Sequence, residues 1–134
     1  MANMLFLLIL LVVTQAQATD TLHCYSIKDA DAKNNCLARK RGESLPCYAI
    51  KDPDQKNSCL AAVRKEDLNC YAIKDQDAKR LCLGSLKQDS MPCYAIRNPD
   101  QKQLCLARVR GDRLPCYAIK DADLKAQCLS DRAK

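Results

Sequence analysis

Apolar and polar positions recur along this chain with a period of 23 residues. Each period opens with Cys-Tyr-x-Ile, passes through a polar stretch carrying Asp and Lys, and returns to a Cys-Leu pair. The units begin at Cys24, Cys47, Cys70, Cys93 and Cys116. Counted from that cysteine, position 2 is Tyr25, Tyr48, Tyr71, Tyr94 and Tyr117, and position 4 is Ile27, Ile50, Ile73, Ile96 and Ile119. Position 8 is Asp31, Asp54, Asp77, Asp100 and Asp123, and position 10 is Lys33, Lys56, Lys79, Lys102 and Lys125. A fixed period of this length marks a repeat array.

Two helices are predicted per unit. In Asp52-Pro53-Asp54-Gln55, echoed by Asn98-Pro99-Asp100-Gln101, the first side chain can cap free backbone amides and proline suits the first helical position. Gln three residues after the cap completes a capping box. The helix should run for roughly ten residues through the second cysteine and its leucine, with Cys59, Leu60 and Val63 forming an apolar stripe. Gly42 and Gly111 stand where a left-handed cap would end it. The other helix starts near Leu45-Pro46-Cys47 and its equivalents and should make about two turns. No β-alternation competes. The expected fold is all-α: a disulfide-stapled helical-hairpin repeat array, or short α-solenoid, of five 23-residue units stacked as an extended or gently curved rod.

Ten cysteines alternate at gaps of 12 and 11 residues. Closing each unit on itself pairs Cys24–Cys36, Cys47–Cys59, Cys70–Cys82, Cys93–Cys105 and Cys116–Cys128 and leaves nothing over. Joining neighbouring units instead would orphan Cys24 and Cys128. Staples suit a chain with no tryptophan and few aromatic residues. Zinc ligand pairs usually sit two to four residues apart, and His23 is the single histidine. The metal alternative is therefore Cu(I) held by thiolates across facing helices.

Residues 1–18 read as an export signal: an apolar run from Leu5 to Val13 precedes Ala16-Gln17-Ala18, although Met1 to Met4 carries no Lys or Arg. Residues 19–134 then form a single repeat domain in an oxidising compartment, periplasmic or extracellular. The net charge of +6 favours anionic partners or simply maintains solubility.

The Asp-x-Asp pairs, such as Asp52/Asp54, resemble the opening of a calcium loop, but no further oxygen ligands follow, so helix capping accounts for them. The five tyrosines and the five position-10 lysines could form parallel ladders on a binding face. Alternatively the rings are partly buried with their hydroxyls bonded to a neighbour, and the lysines are solvated or paired with Asp. The basic clusters Arg39-Lys40-Arg41 and Arg108/Arg110/Arg113 read as solvated surface. Nothing resembles a nucleophile–base pair, a phosphate loop or a nucleic-acid module, so neither an enzyme nor a nucleic-acid binder is expected, and no cofactor is implied. The leading expectation is an exported binding scaffold presenting Tyr, Lys and Arg to a protein or an anionic envelope polymer. The alternative is a copper-sequestering protein.

Overall fold

A computed structural model describes residues 21–131; the export-signal reading over residues 1–18 lies outside them. Among the described residues there are ten helices and no strands. They alternate short and long: α1 (Leu22–Tyr25), α2 (Ala30–Arg41), α3 (Leu45–Tyr48), α4 (Pro53–Arg64), α5 (Leu68–Tyr71), α6 (Gln76–Lys87), α7 (Met91–Tyr94), α8 (Pro99–Arg110), α9 (Leu114–Tyr117) and α10 (Ala122–Ser130).

Every long helix starts at a side-chain cap. Asp29, Asp52, Asp75, Asn98 and Asp121 sit in extended backbone, and each side chain accepts from the amide three residues on. Asp52 Oδ1 takes the Gln55 amide at 2.8 Å. Gly42 and Gly111 end their helices in the left-handed region, at φ 68° and 65°. Lys65 and Gln88 adopt the same conformation at φ 57° and 55°, at a cost of ~1 kcal/mol each for their Cβ.

The short helices make one turn rather than two. The Ile50 amide closes on the Cys47 carbonyl at 3.2 Å, and the chain then extends so that Lys51 and Asp52 can offer their amides to Asp31. Continuing the helix would spend those amides internally.

Each unit closes on itself through its own disulfide, with Cα atoms 5.5–5.6 Å apart. The bridge and the position-4 isoleucine lie between the short and long helices, and all five isoleucines are buried. Burying one such side chain stabilises by about 1.5–3 kcal/mol.

The array is not a rod. α2, α4, α6, α8 and α10 pack side by side in order, and α10 then packs against both α1 and α2. The five units close into a ring in which each junction turns one-fifth of a circle. The long helices form the inner layer. Each short helix lies outside, touching the long helix on either side: α3 contacts α2 and α4, and α1 contacts α2 and α10. Rods follow from stacking only when the rotation per unit is small. Here the long helix flanks its neighbour while the short helix wedges the outer side apart, and the curvature completes itself after five units.

Candidate functional site

Three features repeat around the ring. The first is a carboxylate clasp. Asp31 accepts from the backbone amides of Lys51 and Asp52, at 3.0 and 2.9 Å. Asp54 does the same with Lys74 and Asp75, Asp77 with Arg97 and Asn98, and Asp100 with Lys120 and Asp121. Asp123 completes the circle on Lys28 and Asp29, at 3.0 and 2.9 Å. The Asp-x-Asp pairs thus divide their labour: the first caps its own helix, and the second ties its unit to the next. Capping alone explained only half of each pair. The signal was that position 8 is Asp in every unit, whereas the capping position tolerates Asn98.

These two amides, foremost among the causes, hold all five clasp carboxyls below the usual value of 3.8. Position-10 lysines lie half-buried, and Lys56, Lys79, Lys125 and Lys33 add a smaller stabilising field on Asp31, Asp54, Asp100 and Asp123. A carboxyl depressed by folding stabilises above its unfolded pKa and loses that contribution as pH falls through its folded value. The melting temperature should therefore hold at neutral pH and drop cooperatively below about pH 4, with five groups acting together. Scanning calorimetry against pH checks this; a flat profile down to pH 2 would contradict it.

The second feature is the outer rim. Among the described residues, the exposed large hydrophobic side chains are Leu22, Leu45, Leu68, Met91 and Leu114, together with the five tyrosines. Each pair is three residues apart on one short helix, as Leu45 and Tyr48 are, and so shares a face. Leu45 is 78% exposed and Tyr48 53%. The hydroxyls of Tyr25, Tyr71 and Tyr94 accept from Arg41, Lys87 and Arg110 at 3.1–3.2 Å, and that of Tyr48 accepts from Arg64. Each cation is the last residue of the long helix that follows. Arg64 and Lys87 also lie 5.9 and 5.5 Å from their ring centroids. Tyrosine, cation and a leucine, or Met91 in one case, thus recur together in four units. In the fifth, the sequence carries Ala133 at the cation's position of the repeat.

The third feature is the axis. Positions 9, 12 and 16 of the long helices, one face at helical spacing, point inward. Position 16 reads Arg39, Ala62, Ser85, Arg108 and Asp131 around the ring. Arg108 Nε donates to Asp131 Oδ2 at 2.7 Å, and Arg39 Nε stands 3.8 Å from Asp131 Oδ1. Burial and then the Arg108 charge push Arg39 down to about 10, against the pull of Asp131. Burial opposes ionisation of Asp131, but the two guanidiniums outweigh it and hold the carboxyl below its ordinary value. The basic clusters read as solvated surface are therefore divided: Arg39 and Arg108 turn inward, while Arg41 and Arg110 meet tyrosines.

All ten cysteines are in disulfides, so the thiolates that copper sequestration requires are spent. Among the described residues, no group of His, Cys, Asp and Glu could hold a metal ion. No helix among them is long and apolar enough to cross a membrane. Five bridges in a chain this small point to an oxidising, extracellular type of environment. Comparison with protein-family models, with curated proteins and with solved structures returns no match.

Proposed function

We propose that this is an exported, non-enzymatic binding module that docks an acidic protein through its rim. The observation that carries the reading is the repetition of exposed Leu or Met, Tyr and a neighbouring cation at equivalent places on the ring. Isolated exposed hydrophobics need no explanation, but a repeated apolar pattern that folding leaves uncovered does. Tyrosine and arginine dominate the energetics of interfaces because they offer rigid contact area with a polar tip. Each hydroxyl that already accepts from a cation keeps its own proton to donate, which suits a partner carboxylate. The net charge of +6 points to the same sign of partner. Several equivalent clusters also allow several weak contacts to add through avidity.

The test uses oxidised residues 19–134 as bait for an extracytoplasmic fraction of the source organism. The comparison is with the variant Leu45→Ser/Tyr48→Ser/Leu68→Ser/Tyr71→Ser, whose fold is checked by its melting temperature. The reading predicts one stoichiometric protein that the wild type retains, that weakens with salt, and that the variant loses. Equal retention by both baits, or capture of an anionic polymer with no protein, would overturn it.

A further inference from the structure

Positions 2, 4, 8, 10 and 13 are the same in every unit, yet the axial positions 9, 12 and 16 differ from unit to unit. Ring closure does not dictate what faces the axis. An apolar axis would be the stable choice, since buried ion pairs often stabilise less than well-packed hydrophobic groups of similar volume. This chain instead places two arginines and one aspartate there, a net positive charge. It also places alanine and serine opposite them, which leaves a cavity of about 410 Å³ lined by Arg39, Ala62, Ser85 and Arg108.

Buried side-chain atoms without a protein hydrogen-bond partner concentrate on this axis. Among the described residues they are Asn35 Oδ1, Arg39 Nε, Ser85 Oγ, Gln101 Oε1 and Arg108 Nη2. All occupy positions 9, 12 or 16. Three of these atoms, Arg39 Nε, Ser85 Oγ and Arg108 Nη2, are hydrogen-bond donors on the wall of this one cavity. The Arg108 side chain is 7% exposed. Leaving a buried charged donor unpaired is expensive, and such groups ordinarily have partners. Asp131 can neutralise only one of the two guanidiniums. Among the described residues, the cavity wall includes Lys65 and no carboxylate.

We propose that the axial cavity binds one small oxyanion, a phosphate, sulfate or carboxylate group, between Arg39, Arg108 and Ser85. The guanidinium fork matches such groups in geometry and charge. The volume falls in the range of small-molecule sites. The ligand supplies the missing negative charge and accepts from the three donors that lack a hydrogen bond. This site is separate from the rim, so the fate of the docking reading does not bear on it.

The probes are inorganic phosphate, sulfate and succinate, titrated calorimetrically into the oxidised protein at constant ionic strength set with sodium chloride. At least one should bind saturably at one per chain and raise the melting temperature. Phosphate and sulfate without succinate would assign a tetrahedral anion; succinate alone would assign a carboxylate. Ala62→Leu fills the cavity without touching a charge and should abolish binding. Arg39→Met should weaken it about tenfold or more. Should Arg39→Met fold poorly, Ser85→Ala removes one donor at no cost in charge and should weaken binding measurably. Absence of saturable binding by all three anions, or binding unchanged in Ala62→Leu, would overturn the proposal.

Discussion

Reduction of the five disulfides is expected to unfold the protein at room temperature in the absence of denaturant. Each bridge closes a loop of 12 residues, which the chain-entropy model values at ~3 kcal/mol. Five such constraints are comparable with the whole stability of an ordinary domain, about 5–15 kcal/mol. The core cannot compensate, because among the described residues ten of the 22 buried hydrophobic ones are the bridged cysteines themselves. The short helices make only one turn and have no existence apart from the bridge that pins them. Far-UV circular dichroism before and after a phosphine reductant provides the measurement. Helical signal should collapse, and removing a single bridge with Cys70→Ser/Cys82→Ser should lower the melting temperature without abolishing the transition. A reduced chain that still melted cooperatively would show that packing, not sulfur, holds the units.

The second large effect concerns closure. Deleting residues 112–134 should destroy the cooperative transition, although it removes only one unit. In an open array of five units there are four junctions, and losing a terminal unit removes one. In a ring there are five, and losing any unit removes two. The deletion uncovers the face of α8 and the faces of α1 and α2 that α10 covers. It also removes both clasp contacts from Asp123 to Lys28 and Asp29, and strips Arg39 and Arg108 of Asp131. A circular permutant is the control. With residue 134 joined to residue 19 and new termini between Lys65 and Glu66, all junctions survive. It should melt within a few degrees of the parent and form the same five bridges. If the truncated chain matched the parent's melting temperature instead, the seam between α10 and α2 would contribute nothing.

Much of the fold is legible in the sequence because its causes are local. Alternating gaps of 12 and 11 residues favour closing each unit on itself, since in an open array joining neighbours would orphan Cys24 and Cys128, and Asp-Pro-Asp-Gln writes a helix start residue by residue. Closure is not local. It depends on a modest rotation at each junction, set by how α3 wedges between α2 and α4, and no single motif encodes that angle. The rim was half-legible: tyrosine and isoleucine alternate in role, but only packing reveals that Ile50 goes in and Tyr48 stays out. The axis is not legible from the repeat itself, because Arg39 and Arg108 matter where the units differ. Their shared position 16 was the available signal.

The clasp carries one more consequence. Each position-8 carboxylate grips main-chain amides, which every residue type except proline supplies, so it takes no account of the side chains next door. As far as the clasp is concerned, any unit is an acceptable neighbour for any other. Units could be reordered within the five-membered ring without renegotiating this contact, whereas side-chain pairs that cross a junction, such as Arg108 with Asp131, would have to be re-formed. Such a joint leaves the inward residues free to differ from unit to unit while the frame that holds them repeats.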